Sequence, residues 1–218
     1  MARHVTFAIA LMVATLGAPP TSMAAATATD ALRPVVDKVL RVLDDSAMKG
    51  EPRTVERRAA LRSVMETAID FPEASRRALA LHWRTRTPAE REEFTALFRD
   101  LVTYSYIRMM EPYAGEKVQF VGETEADGSV TVQTRILRLR GDPVPVDYRM
   151  HRRGSRWLVY DVAVEGVSLV ATYRAQFNTI IQTSSYEELV RRLRVRVAEL
   201  GEAPSASIRS APRPRPAQ

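Results

Sequence analysis

The chain has 218 residues, 45% of them hydrophobic and 27% charged, with a formal charge of +6 and no cysteine. That length fits one domain with tails and can bury a core with volume left for a cavity. The missing cysteine excludes disulfides, thiolate metal sites and a lipid-modified amino-terminal cysteine.

The chain opens with Arg3 and His4, then the apolar run VTFAIALMVATLG and the small-residue stretch APPTSMAAA. This is the pattern of a secretory signal peptide over residues 1–24, with cleavage near Ala24 to Ala26. The run is shorter than the roughly 20 residues that span a bilayer, and no later stretch is apolar enough to do so. The mature protein is therefore expected in a periplasm, with a charge of about +5 once Arg3 is removed. Nucleic acid is not an expected partner there. Anionic lipid headgroups or an acidic protein suit the charge better.

Residues 30–48 read as a helix with Val35, Val39, Val42 and Leu43 on one face. Pro34 places its start near Leu32, because proline is tolerated in a first turn. KGEP breaks the chain. Residues 54–69 give a second helix, with Leu61, Val64, Met65 and Ala68 on one stripe and a weak amino-terminal cap. A short helix is expected from Pro72. A longer one follows Thr87-Pro88-Ala89-Glu90, a cap, a first-turn proline and an acid at the third position. Phe94, Leu97, Phe98, Leu101 and Val102 then recur at helical spacing, and Pro112 closes the element.

Beyond Gly115 the period becomes two. KVQFVGE, SVTVQTRILRL, VPVDYRMHR and RWLVYDVAVEG are four strand-like runs separated by the turn signals ADGS, RGDP and RRGS. Short turns between consecutive strands mean an antiparallel meander. On the last strand Leu158, Tyr160, Val162 and Val164 share one face, and Trp157, Val159, Asp161, Ala163 and Glu165 the other. On the third, Val144, Val146, Tyr148 and Met150 share a face. One strongly apolar face argues for helices packed over it. Helices are then expected over Ser168–Gln182 and Ser185–Leu200, the second capped by Ser184 or Ser185 with Glu187 and Glu188. The proline-rich, basic stretch 201–218 reads as a disordered tail. The fold class is α+β: a curved four-stranded antiparallel sheet covered by helices, with residues 25–200 as a single domain.

Catalytic chemistry is sparse. His82 and His151 have no second histidine or carboxylate at ligand spacing, and Asp44-Asp45, Glu92-Glu93 and Glu187-Glu188 diverge around their helices. No nucleophile elbow, zinc-protease or P-loop motif occurs. No catalytic residue, metal or cofactor is expected. Asp161 and Glu165 read as partners for arginines, with Arg174 suited to phosphate or to Glu165, preferentially the acid. The aromatics of the folded part, with Met109, Met110 and Met150, could line a flexible apolar cavity collectively.

The segment RWLVYDVAVEGVSLVATYRAQFNTII resembles the signature of the MlaC family, the periplasmic phospholipid carriers also called toluene-tolerance auxiliary proteins. The resemblance rests on Trp157, Val159 to Val162, Glu165 to Val170, Tyr173, Arg174, Gln176 and Phe177. A second block, HWRTRTPAEREEFTALFRDLVTYSY, adds Trp83, Pro88, Phe94, Phe98, Leu101 and Tyr106. The chain departs from the pattern in QTSSYEEL, where a glycine-containing turn is common, and in its tail. The resemblance implies a cone-shaped fold like that of nuclear transport factors, with a deep acyl-chain pocket and an exposed headgroup. It implies shuttling between an outer-membrane lipoprotein complex and an inner-membrane ABC transporter complex, which maintains outer-membrane lipid asymmetry. On this reading the lipid-binding residues are Phe94, Phe98, Leu101, Tyr106, Val146, Tyr148, Tyr160, Val162, Val164, Val167, Leu169, Val170, Tyr173 and Phe177. Gly166 permits the change of direction between strand and helix. A carrier of another lipid such as a hopanoid, an enzyme on the same cone acting on a small apolar substrate, or an adaptor without a cavity are the alternatives.

Overall fold

The computed structural model describes residues 26–48 and 53–202. The expected signal peptide, the KGEP break and residues 203–218 of the tail lie outside the described residues, while Gly201 and Glu202, expected in the tail, are helical. Helix α1 (Ala28–Asp44) begins four residues before the expected Leu32. The cause is a reciprocal cap: the Thr27 hydroxyl accepts from the Asp30 N–H, and the Asp30 carboxylate accepts from the Thr27 N–H, both at 3.1 Å. Pro34 therefore lies inside the helix, on its exposed side, where water can answer the carbonyl left without an N–H. The buried stripe is displaced accordingly. Leu32, Val36 and Leu43 are buried, while Val35, Val39 and Val42 are only half-buried.

Helix α2 (Thr54–Ala68) buries Leu61, Val64 and Met65 and has no side-chain cap at its start. In α3 (Phe71–Leu79) the Asp70 carboxylate accepts from the Glu73 N–H at 3.1 Å. A 3₁₀ turn over Ala80–Thr85 leads to α4 (Pro88–Met110), which carries the Thr87–Glu90 capping box read from the sequence. The meander comprises β1 (Lys117–Ala126), β2 (Ser129–Leu137), β3 (Val144–Arg153) and β4 (Arg156–Val164). A fifth strand, β5 (Val167–Ser168), corrects the expected four and extends the order to β1-β2-β3-β4-β5.

The fifth strand arises at Glu165-Gly166. Both residues have positive φ, +52° and +80°, as a tight two-residue hairpin requires. Val164 then faces Val167, and Ala163 faces Ser168. The Glu165 N–H donates to the Pro145 carbonyl at 2.9 Å. The chain thus folds back onto β4 before α5 (Leu169–Thr183) begins, with the Ser168 hydroxyl capping the Ala171 N–H at 3.0 Å. Helix α6 (Tyr186–Glu202) follows, its first turn capped by Ser185 on the Glu188 N–H.

A bulge corrects the expected facing of β4. Arg149 pairs with Asp161 and Met150 with Val159, so Tyr160 is an extra residue. The alternation slips there. Val159 and Val162 both join the face covered by α1, whereas Tyr160 and Asp161 turn to the other. The α1 face buries Val130, Val132, Met150 and Val159 against Ala28, Leu32 and Val36. Each large aliphatic side chain so buried contributes about 1.5–3 kcal/mol.

A second cluster packs α3, α4, α5 and α6 around Phe94, Phe98, Val170, Phe177 and Leu189. A third joins α1, α2 and α4 through Leu43, Leu61, Met65 and Ile107. At the junction of α2 and α3, Ile69 bridges Val159, and the Asp70 N–H donates to the Val159 carbonyl at 2.8 Å. This ties the helical layer to the edge of β4. Among the described residues no helix is long and apolar enough to cross a membrane.

Candidate functional site

Two buried aspartates hold α3 and α5 against the sheet face opposite α1. Asp70 caps α3 and also accepts from Arg153 and from the His151 ring, each at 3.1 Å. Asp161 accepts from Arg149 at 2.9 Å, from the Ser168 hydroxyl at 2.6 Å and from the Val170 N–H at 3.0 Å. The Asp161 side chain is 3% exposed, so this β4 carboxylate pins the first turn of α5. The expected arginine partner of Asp161 is thereby Arg149. Arg174 and Glu165 do not pair, contrary to the sequence reading. The hairpin commits Glu165 to the turn, and Arg174 projects, exposed, from the second turn of α5.

Between these anchors lies a cleft of about 660 Å³, within the roughly 300–1,000 Å³ of small-molecule sites. Its walls are Arg76 and Arg77 from α3, Trp83 and Arg84 from the 3₁₀ turn, and Arg174 and Val170 from α5. Its floor includes Ser129, Thr131, Arg149, Tyr160 and Asp161 from the sheet. Ser129 and Thr131 alternate with the buried Val130 and Val132, which places the floor on the face away from α1. Arg77 stacks on the Tyr160 ring at 3.9 Å and donates to Glu73 at 2.7 Å.

An aromatic cluster lies behind the cleft wall. Phe98 meets Phe94 at 5.9 Å, Tyr173 at 5.2 Å and Phe177 at 5.7 Å between ring centres. Val170 belongs to both the cleft and this cluster, and Trp83 lines the first and packs on the second. Burial pushes the phenols of Tyr106 and Tyr173 upward, Tyr106 further through the nearby Tyr173 and Asp161. Burial also raises Tyr148 to about 12, against a hydrogen bond with Thr134. These phenols stay un-ionised at neutral pH. They offer hydroxyl-tipped apolar surface.

The fourteen residues assigned to lipid separate into two sets. Phe94, Phe98, Leu101, Val170 and Phe177 are buried together, with Tyr106, Leu169 and Tyr173 packed on them. Tyr160 joins this set through the cleft. Tyr148 and Val162 pack in the α1 cluster on the opposite sheet face. Val146 and Val164 share that face by alternation and are paired with each other, while Val167 is 53% exposed at the hairpin. The sequence reading missed Arg76, Arg77, Arg84 and Arg149. The first three stand close together in ASRRALALHWR, and that local cluster of arginines is the signal the sequence offers.

His82 is held by Asn178 at 2.9 Å, and the His151 ring stands edge-on to Tyr160 at 5.5 Å. Among the described residues no group of three or more histidines or acids could hold a metal ion.

The family model described as MlaC protein matches residues 33–195. The intermembrane phospholipid transport system binding protein MlaC of Haemophilus influenzae is 21% identical over 155 residues, covering 69% of this chain and 72% of that protein. The phospholipid-binding protein from Ralstonia solanacearum, solved in complex with a phospholipid, aligns with a TM-score of 0.72 at 25% identity. The alignment covers 81% of this chain and 100% of that one.

Proposed function

The chain belongs to the MlaC family, and from that premise we propose that it is a periplasmic phospholipid carrier. It is exported by its amino-terminal segment and passes lipid between an outer-membrane lipoprotein complex and an inner-membrane ABC transporter complex, in support of outer-membrane lipid asymmetry. The observation that carries the reading is that the whole protein chain of a solved phospholipid complex aligns on this fold.

The side chains support it. Tyr148 and Tyr106 are half-buried by exposed area, yet burial strongly raises both phenols. On this reading both rings border an internal space that admits acyl chain. Val162 and Val164 beside Tyr148, and Val118 and Phe120 on β1, are half-buried too. An apolar hollow bordered by these side chains, which belongs to the proposal, would suit acyl chain, whose burial stabilises by about 0.8 kcal/mol per CH₂. A lipid with two long chains crosses water at a useful rate only if a carrier shields them. The cone-shaped enclosure and the fourteen residues named above belong to this proposal.

The test is organic extraction of the purified mature protein followed by mass spectrometry. Stoichiometric phospholipid is expected. Protein that arrives empty, and takes up no radiolabelled phospholipid from vesicles, refutes the proposal.

A further inference from the structure

The cleft has a chemistry that acyl chains do not need. Five guanidinium groups line it, from Arg76, Arg77, Arg84, Arg149 and Arg174, against the carboxylates of Asp127 and Asp161. That is a surplus of three positive charges, or two if Glu73, which answers Arg76 and Arg77 from behind, is counted. Arg149 is fixed by Asp161, and Arg77 by Glu73 and the face of Tyr160. Arg84 and Arg174 are exposed and make no side-chain hydrogen bond or ion pair among the described residues.

Like charges gathered in one concavity repel, and a low-dielectric wall concentrates their field. An anion relieves that repulsion. The planar fork of arginine matches the oxygens of a phosphate group better than it matches water. Three separate elements supply the arginines: α3 with its following turn, the sheet, and α5. A tetrahedral anion could therefore be met from several sides.

We propose that the cleft is a phosphate subsite, in which Arg84 and Arg174 close on a phosphate monoester or diester while Arg77 in the wall and Arg149 in the floor keep the cleft positive. The lipid's own headgroup is the source favoured, because Asp161 in the cleft floor also pins the first turn of α5, whose Leu169 and Tyr173 belong to the proposed acyl lining; this assignment rests on the carrier reading. It carries a consequence for selectivity. A lipid with net negative charge is held better than a zwitterionic one, whose ammonium group would add a sixth cation to the cleft.

The test loads the mature chain from vesicles containing equal amounts of phosphatidylglycerol and phosphatidylcholine of the same chain length. The chain is then re-isolated and both lipids are quantified. Phosphatidylglycerol is expected to be enriched about tenfold, the effect of one charge-assisted contact. The enrichment should vanish in Arg84→Glu/Arg174→Glu. It should persist in Arg140→Glu/Lys117→Glu, which changes the net charge equally at exposed positions outside the cleft. Equal recovery of both lipids by the wild-type chain overturns the subsite and leaves lipid carriage standing. Loss of enrichment in both double variants overturns it as well, since net charge alone would then explain the preference. Recovery of neither lipid overturns carriage and the headgroup assignment with it. Titration with glycerol 3-phosphate separates the sources. Saturable binding that needs Arg84 and Arg174, in a chain that takes up no lipid, would reassign the cleft to a soluble phosphate.

Discussion

Asp161→Asn tests whether the first turn of α5 is the movable wall between cleft and interior. The carboxylate answers three donors, on Arg149, Ser168 and the Val170 backbone. An asparagine has one carbonyl and one amide in their place. If the carbonyl faces Arg149 and Ser168, the buried Val170 N–H meets another donor. If it faces Val170, the charge-assisted bond to Arg149 is lost, although Ser168 can turn its hydroxyl to accept. Either arrangement costs about 1–3 kcal/mol. The larger penalty of about 3–5 kcal/mol for breaking a fully buried pair does not apply, because the Arg149 side chain is 44% exposed and water can hydrate it.

The assay has two readouts: urea unfolding of the delipidated chain, and transfer of a fluorescent phospholipid between vesicles. Stability should fall by about 1–3 kcal/mol, and transfer should accelerate by up to about tenfold for each 1.4 kcal/mol of loosening. Thr87→Ala is the control. It weakens the cap of α4 by a comparable amount, about 0.5–2 kcal/mol, without touching α5, and should leave transfer unchanged. A drop in stability with no change in transfer would refute the idea that α5 moves to admit lipid.

Phe98→Ala removes a fully buried ring from contact with Phe94, Tyr173 and Phe177; unfolding of the lipid-free chain should show a loss of about 3–5 kcal/mol. Gly166→Ala meets no atom within 4 Å of the added carbon. Its cost is therefore backbone strain at φ +80°, about 1–2 kcal/mol by thermal unfolding, and Gly166→Asn should recover part of it. Val164→Glu should leave a folded protein with little extractable lipid, because an unpaired carboxylate would stand in the proposed apolar hollow; wild-type lipid content would remove Val164 from the proposed lining. The Glu188 carboxyl is held down to about 2 by hydrogen bonds and charges from Arg191 and Arg192. Its folded value lies below its unfolded one, so its stabilisation is present above pH about 4.3 and fades as pH falls towards 2. The gap in melting temperature between wild type and Glu188→Gln should shrink over that window.

How far the sequence could be read depended on whether the signal was local. The Thr87–Glu90 box, the spacing of Phe94, Phe98 and Leu101, and the period-two runs were legible because each is fixed within a few residues. The start of α1 departs from the sequence expectation because the cap at Thr27, which supplies two hydrogen bonds, outweighs the proline. The facing of β4 departs from the alternating pattern because periodicity holds only along an unbroken ladder. A bulge at Tyr160 is decided by what lies across the strand, here Arg149, Met150 and the α2–α3 junction that pairs with Val159. Half of the cleft was invisible for the same reason. Its arginines lie as far apart in sequence as Arg76 and Arg174, and each taken alone reads as a solvated charge.

Tyr160 shows what the bulge achieves. Without it, Tyr160 would share a face with Val162 and Val164, as the alternating pattern anticipates. With it, one short strand serves two surfaces: Val159 and Val162 go to the α1 face, while Tyr160 and Asp161 go to the cleft. Asp161 in turn anchors the helix whose Val170 belongs to both the cleft and the aromatic cluster. The apolar surface on both sides of the Glu165-Gly166 turn is therefore not redundant. In the proposed carrier the strand supplies one wall of the interior and the helix another, and the buried Asp161 carboxylate is one of the ties between them. If the chain passes lipid between membranes as proposed, that joint must be strong enough to fold and weak enough to open.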